Sequence, residues 1–250
     1  MRKFIFLIGF CLCFFPCILN NWQKEEQSKL IDTYSEKIRN IKSLPDKKKQ
    51  AMKYNELLLL SKENLMNYNQ LLSFNDLGMM GRIEIPKICV NLPIYHGTSE
   101  NVLRCGIGHI QGSSLPIGGK STRSLLSGHC GLPNSQLFTR LDELGKNDLF
   151  FIHILDQTLA YKIISIEKIL PENTESLKII KGKDLVSLIT CTPYGINTHR
   201  LIVTGERIPY KKSIKNKIVK SPQSNREKFQ GIIPFVLLFI ACLERKYKNE

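Results

Sequence analysis

Between Gly81 and Ile208 the chain is a series of short apolar runs separated by turn residues. The runs are four to eight residues long, and they lie near Ile83 and Ile85 and over Ser124–Ser127, Leu149–Leu155, Leu159–Ile166, Leu185–Thr190 and Leu201–Thr204. Turn residues stand between them at Gly112, Gly118, Gly119, Gly145, Pro171 and Gly182. Many short strands joined by such turns predict a mostly β domain, either a barrel or a sandwich.

The segment over residues 23–80 has a different pattern. Apolar residues recur there at helical spacing in a charged background, at Leu30, Tyr34, Ile38 and Ile41. The pair Leu44-Pro45 predicts a break between two helices, because proline is tolerated only in the first turn of a helix. We therefore expect a helical stalk or lid region, which could instead pack on the β domain. A further short helix is predicted over Gln136–Leu144.

Apolar runs lie near both ends of the chain. The first extends from Phe4 to Leu19 after two basic residues and has no small-residue cleavage site, so residues 1–22 are predicted to form an uncleaved membrane anchor. Residues 231–243 are predicted to form a second span, although a buried helix is the alternative for so short a run. Residues 244–250 would then be a cytoplasmic tail. Basic residues at the outer ends of both runs predict two cytoplasmic termini and an extracellular domain.

The formal net charge is +14 at pH 7. Part of this excess lies in residues 209–230, which predict a solvated basic linker or a contact with anionic lipid or wall polymer. No arginine–aromatic interleaving or zinc-finger spacing accompanies the charge, so no nucleic-acid partner is predicted. Gly119-Lys120-Ser121 resembles part of a phosphate-binding loop, but Ser114 stands where that motif needs glycine. No cofactor is therefore expected.

Three residues near predicted strand ends carry the candidate chemistry. Cys191 follows the run Leu185–Thr190, and Arg200 returns beside it nine residues later, after a turn. His129 closes another apolar run. A thiolate can attack a peptide carbonyl, and an imidazole can protonate the leaving amine. A fixed cation such as Arg200 can stabilise the oxyanion by about 3–4 kcal/mol, and Thr190 could add a hydroxyl or N–H donor.

Several motifs resemble one protein family. The segment from Ser187 to Cys191 (Ser-Leu-Ile-Thr-Cys) resembles the active-site signature of the sortases, and its continuation to Leu201 is similar to class C, the pilin-polymerising group. Ser127-Gly128-His129 resembles the histidine region of that group. Residues 81–88, 92–98 and 106–119 resemble its first barrel strands and the region after them, so the resemblance extends from about residue 81 to residue 208.

The resemblance implies a closed β-barrel over residues 81–208 on the outside of a Gram-positive cell. Its activity would be that of a cysteine transpeptidase, which cuts a Leu-Pro-x-Thr-Gly sorting signal between Thr and Gly. Cys191 would be the nucleophile, His129 the proton donor and Arg200 the oxyanion-stabilising or substrate-positioning cation. Thr190 and Ser187 would support the site or bind substrate.

The partners that the resemblance implies are surface proteins or pilins with a sorting signal and an amine that accepts the acyl group. In class C this amine is typically a lysine of the next pilin. Attachment of surface proteins to cell-wall peptidoglycan is an alternative that uses the same chemistry.

The chain departs from the family pattern in three places. Ser187 stands where threonine is usual, and Cys130 follows His129 where arginine is common. The Asp-Pro-aromatic tripeptide that class C members carry in a lid is absent between Tyr54 and Gly81. Whether a lid covers the thiol is therefore left open at this point.

A non-catalytic metal-binding surface domain is an alternative of another class. His129, Cys130, Cys191 and His199 are ligand types that zinc prefers. Arg200 argues against this reading, because its charge would be unfavourable beside a metal cation. The chain has eight cysteines but no Cys-x-x-Cys, so it carries no zinc-ribbon or thioredoxin-like motif, and no metal is expected.

Overall fold

A computed structural model describes residues 22, 25–40, 43–62, 66–75, 78–131 and 137–221. Its centre is a closed barrel of eight strands: β1 (Met79–Ile85), β2 (Val90–His96), β3 (Ile107–His109), β4 (Thr122–Ser127), β5 (Leu149–Ile154), β6 (Gln157–Ile169), β7 (Asp184–Thr192) and β8 (His199–Ile208). The order around the barrel is β1-β2-β3-β4-β7-β8-β6-β5, and β5 pairs with β1 to close it. The predicted mostly β, closed-barrel fold is thus confirmed.

The pairing of the strands explains how a single sheet closes on itself. β2–β3 and β4–β7 are parallel pairs, and the other neighbours are antiparallel. The longest strand, β6, has a register shift against β8 between Ile163 and Ser165. Such a bulge bends a strand and increases its twist, which helps a long strand to follow the barrel wall. Closure pairs every strand on both sides and removes the free edges that would invite aggregation.

The interior of the barrel is filled by alternate residues of its strands, as the two-residue period of a strand requires. Phe150 and Tyr161 stack there with their ring centroids 5.4 Å apart. Gly205 of β8 faces this pair, and a β-carbon in its place would lie 2.5 Å from Phe150 Cε1. Glycine therefore lets the backbone of β8 approach the aromatic core.

Two helices precede the barrel: α1 (residues 25–40) and α2 (Leu44–Leu59), which has Pro45 in its first turn as predicted. Both pack on the barrel. Tyr34 Oη donates to the Met80 carbonyl at 2.8 Å and accepts from the Leu155 N–H at 3.0 Å. Asn55 exchanges two hydrogen bonds with the backbone of Leu115 at 3.2 and 2.7 Å. Of the arrangements expected, the described helices adopt the packed one.

Two further α-helices are short: α3 (Glu100–Cys105), which connects β2 to β3, and α4 (Lys212–Asn216), which follows the barrel. Lys215 of α4 donates to Glu84 Oε2 at 2.7 Å. Ser221 N–H donates to the Lys87 carbonyl, also at 2.7 Å. The beginning of the basic segment over residues 209–230 is therefore docked on the barrel wall.

The helix predicted over Gln136–Leu144 is wrong. Within its described part the chain forms a 3₁₀ turn over Leu141–Glu143. Phe138, Leu141 and Leu144 are all buried. A spacing of three residues places side chains one above another in a 3₁₀ helix, so this apolar pattern fits the tighter turn.

Within the described residues, none of the helices combines the length and the apolar character that crossing a bilayer requires. Apart from residue 22, the predicted anchor over residues 1–22 lies outside the described residues. The predicted span over residues 231–243 and the tail over 244–250 also lie outside them.

Candidate active site

The register of β4 and β7 brings the predicted histidine and cysteine to one edge of the barrel. The two strands are parallel, and Ser127 pairs with Ile189. Beyond this pair, the Gly128 N–H donates to the Ile189 carbonyl at 3.0 Å, and Thr190 Oγ1 donates to the Gly128 carbonyl at 2.7 Å. Because parallel strands end on the same side, His129, just after β4, and Cys191, near the end of β7, lie at the same edge of the barrel.

Arg200 is brought to the same edge by the antiparallel pairing of β7 and β8. Cys191 and Arg200 are direct Cα partners in that pairing. Side chains of directly opposite residues lie on one face of a sheet, so the side chains of Cys191 and Arg200 leave their strands next to each other. Arg200 Nη1 donates to the carbonyls of Asn197 and His199 at 3.1 and 3.2 Å. Both side chains are partly exposed.

Among the residues that the structure describes, no carboxylate pairs with the charge of Arg200. Arg200 takes part in none of the ion pairs formed among the described residues. Its described hydrogen-bond partners are neutral carbonyls. A guanidinium held this way keeps a full charge that can interact with an oxyanion formed near Cys191.

Two glycines make room around His129. A β-carbon at Gly128 would lie 2.7 Å from Ile107 Cδ1, so only glycine allows the chain to pass this core residue. Gly131 has φ +85°, and a β-carbon there would lie 2.9 Å from Tyr194 Cε2. The Phe138 N–H donates to the His129 carbonyl at 3.1 Å and fixes the backbone between these glycines.

The imidazole of His129 lies beside a carboxylate of α3. The distance from His129 Nε2 to Glu100 Oε2 is 3.6 Å, and the two side chains are 29% and 60% exposed. The Nε2 atom itself is shielded from solvent and has no hydrogen-bond partner among the described residues. Sequence reasoning missed Glu100, because a single glutamate in a short surface helix carries no signal of its own.

The two predicted supporting residues have different surroundings. The Thr190 side chain is buried, and its hydroxyl is the group that ties the end of β7 to Gly128. Ser187 is fully buried, and its Oγ lies 3.0 Å from both Arg123 Nε and Thr204 Oγ1. The Ser187 hydroxyl thus faces the protein interior, and its contacts are with other protein groups.

Arg123 of β4 is a residue of this region that sequence reasoning missed. Its side chain is 6% exposed. Besides Ser187, its guanidinium donates to Thr204 Oγ1 at 3.2 Å and to the carbonyls of Ser176 and Lys178 at 2.5 and 3.1 Å. Burial lowers the pKa of Arg123 from its usual value. These bonds join β4, β7 and β8 to the segment before β7. The sequence feature that could have identified Arg123 is an arginine inside a β-like run.

The cysteines and histidines of the described residues do not form a metal site. Cys89, Cys105, Cys130 and Cys191 are all free thiols. No group of three or more His, Cys, Asp or Glu side chains within the described ranges is arranged to hold a metal ion. The four residues that the metal-binding alternative requires are all described, and they do not form such a cluster.

A closed barrel that presents a thiol, an imidazole and a guanidinium at one edge has the architecture of a cysteine transpeptidase. The sequence profile of the sortase domain matches residues 83–208. Clostridium perfringens sortase C, solved with the C-terminal cell wall sorting motif, is 45% identical with a TM-score of 0.67, and the match covers 73% of this chain and 100% of that one. Sortase C1 of Streptococcus agalactiae is 44% identical with a TM-score of 0.68 and the same coverage.

Sortase A of Streptococcus agalactiae serotype III is 31% identical over 163 residues, which are 64% of this chain and 64% of that protein. The chain therefore spans just under two thirds of the length of this curated relative. The chain belongs to the sortase family, whose members are cysteine transpeptidases.

Proposed function

We propose that this chain is a membrane-anchored class C sortase that joins pilin subunits through a thioester on Cys191. The single observation that carries the proposal is the register that pairs Cys191 with Arg200 and ends β4 and β7 at the same edge. The similarity at 44–45% identity to two proteins named sortase C supports the class.

In the first half-reaction, the Cys191 thiolate attacks the carbonyl carbon between Thr and Gly of the sorting signal. A carbon–sulfur bond forms, and the peptide carbon–nitrogen bond breaks as the tetrahedral intermediate collapses. The His129 imidazolium gives its proton to the departing glycine amine. Arg200 lies opposite Cys191 and stabilises the oxyanion, which carries the negative charge before collapse.

In the second half-reaction, an amine attacks the thioester carbonyl and releases the thiolate. The neutral His129 accepts the proton that the attacking amine loses, so the site returns to its starting state. The amine that we propose is a pilin lysine, and a peptidoglycan amine is the competing acceptor. The enzyme is a transpeptidase when the amine outcompetes water for the thioester.

The test is a reaction of the purified chain with a Leu-Pro-x-Thr-Gly peptide, followed by mass spectrometry of the intact protein. We expect an acyl adduct on Cys191 and the release of the glycine-containing fragment. Cys191→Ala should give neither. Cys89→Ser is the matched control, since Cys89 is an exposed free thiol in the connection between β1 and β2, neither of which pairs with β7, and it should keep full activity. Equal activity in Cys191→Ala and wild type would end the proposal.

The acceptor is tested in the same assay with a pilin lysine peptide and a wall-peptide amine offered together. Predominant transfer to the lysine supports pilin joining, and predominant transfer to the wall amine supports the attachment of surface proteins to peptidoglycan.

The proposed topology has both termini in the cytoplasm and the barrel outside. A tag at the C-terminus should be protected from protease on intact cells, whereas the barrel should be cleaved. A cleaved tag would contradict the second membrane span.

A further inference from the structure

The closest described acidic group to His129 comes from α3, an element outside the three predicted catalytic segments. Glu100 stands in the first turn of α3. Its Oε2 lies 3.6 Å from His129 Nε2, slightly beyond hydrogen-bond distance. That nitrogen is shielded from solvent and has no hydrogen-bond partner within the described part of the chain. The imidazole therefore has a carboxylate as its polar neighbour on this side.

The Glu100 carboxylate is held in place by a second contact. Arg104, one turn further along α3, donates from Nε to Glu100 Oε1 at 3.0 Å. This hydrogen bond holds the pKa of Glu100 below its usual value, so the group is an anion throughout the neutral range. One carboxylate oxygen thus faces Arg104, and the other faces His129.

The other charged or titratable groups at this edge come from three elements. Arg104 belongs to α3, Cys191 to β7, and His199 and Arg200 to β8. Cys130 follows His129 directly, and Tyr194 of the β7–β8 loop packs over Gly131. Arg104 bonds the carboxylate that lies beside His129, and its charge disfavours a positive charge on the nearby imidazole, because like charges repel. Glu100 is the carboxylate in this set, so it is the group that opposes the effect of Arg104.

We propose that Glu100 is a positioning residue, whose carboxylate stabilises the protonated imidazole of His129 and orients it for proton delivery to the leaving amine. The inference rests on the proposed function, because it concerns the proton donor of that reaction. Contacts of this kind are often long in a free enzyme and shorten in the substrate complex. Glu100 does not touch the reacting atoms and acts only through His129.

The test is the pH dependence of kcat/KM in Glu100→Gln. The active form needs a thiolate and an imidazolium, so kcat/KM on the alkaline side of the profile depends on how firmly the imidazole holds its proton, whichever of the two groups titrates first. Without the nearby anion the imidazolium loses its proton at lower pH. We expect the alkaline limb to move down by about half a pH unit, or about threefold less activity on that limb, as is reasonable for a partly exposed pair. An unchanged limb, or one that moves up, would overturn the inference.

Three further measurements keep the test specific. Asp156→Asn removes one negative charge from the exposed β5–β6 turn, and its profile should match wild type. Glu100→Asp keeps the charge and should restore part of the shift. In a Cys191→Ala background, an NMR titration should show that the His129 ring loses its proton at a lower pH when Glu100 is replaced by glutamine. Equal titrations with and without Glu100 would overturn the inference. Activity in Cys191→Ala itself would instead refute the proposed function, so the two failures are distinguishable.

Discussion

Two regions of the barrel are built around the same dipeptide and have opposite characters. Gly108-His109 ends β3, and Gly128-His129 follows β4, its antiparallel neighbour. His109 is completely buried, whereas the side chain of His129 is 29% exposed at the edge of the barrel. The comparison shows that a Gly-His pair at a strand end does not identify a reactive histidine; the groups packed around it do.

The surroundings of His109 keep its ring neutral, so it is not an imidazolium that could act as a general acid near pH 7. The carbonyl of Ser114 lies 2.9 Å from His109 Nε2 and can only accept, so this nitrogen carries the hydrogen. Tyr68 Oη lies 2.7 Å from His109 Nδ1 and donates to it. Burial lowers the pKa of His109 to about 4, so the ring is neutral near pH 7. Through its hydrogen bond with Tyr68, His109 holds the segment after α2 against the barrel.

The largest expected effect is that replacing one histidine lowers activity alone, whereas replacing the other lowers stability alone. His129→Gln should reduce acyl transfer by about 10²- to 10⁴-fold, the usual contribution of a general acid, with an unchanged unfolding midpoint. His109→Gln should lower the free energy of unfolding by about 1–3 kcal/mol, because buried partners lose their hydrogen bonds. Its folded molecules should keep their activity.

Steady-state kinetics and urea unfolding of both variants provide the measurements. A His109→Gln protein that is stable but inactive would show that the comparison assigns the two roles the wrong way round.

The sequence was sufficient for the features that depend on local pattern. The runs ending at Ser127 and Thr190 predicted β4 and β7, and the spacing from Cys191 to Arg200 predicted their meeting on neighbouring strands. The three-residue β3 was too short for its period to be visible in the sequence. The surroundings of buried groups could not be predicted, because they depend on contacts between distant segments: Arg123 reaches Thr204 across 81 positions.

The second prediction concerns acid stability. Between pH 6.5 and about 4 the unfolded chain protonates its histidine at position 109, while the folded protein does not. The unfolded state then binds more protons, so stability falls as the pH falls through this window. At pH 4.5 the loss from His109 should be about 2–3 kcal/mol relative to pH 7.5.

Urea unfolding at pH 7.5, 6 and 4.5 checks this effect. Burial also lowers the pKa of His96 and of His153, so the decisive quantity is the difference between wild type and His109→Gln. That difference should shrink as the pH falls. A constant difference would mean that His109 does not stay neutral in the folded protein.

A smaller effect is expected from Tyr68→Phe. The substitution keeps the ring that packs on His96 and His109, with centroid distances of 4.8 and 5.7 Å, and removes only the hydroxyl. His109 Nδ1 then loses its donor, and the Gly97 N–H loses its acceptor. We expect a loss of about 1–2 kcal/mol of stability and unchanged acyl transfer. Tyr210→Phe, at a position 38% exposed, is the control and should unfold like wild type.

The smallest effect tests whether a nearby carboxylate alone gives a histidine a function. His153 Nε2 lies 2.9 Å from Glu84 Oε2, closer than the 3.6 Å between His129 and Glu100, yet His153 lies on β5 and not at the edge that carries the thiol.

Burial alone would raise the pKa of Glu84, but hydrogen bonds from His153 and Lys215 lower it to about 2. Glu84→Gln should cost about 1 kcal/mol at pH 7 after solvent screening and should speed amide exchange in α4. The alkaline limb of kcat/KM should stay where it is in wild type. If the alkaline limb of Glu84→Gln moved as far as that of Glu100→Gln, the shift would depend on the total charge of the barrel and not on the carboxylate next to the proton donor.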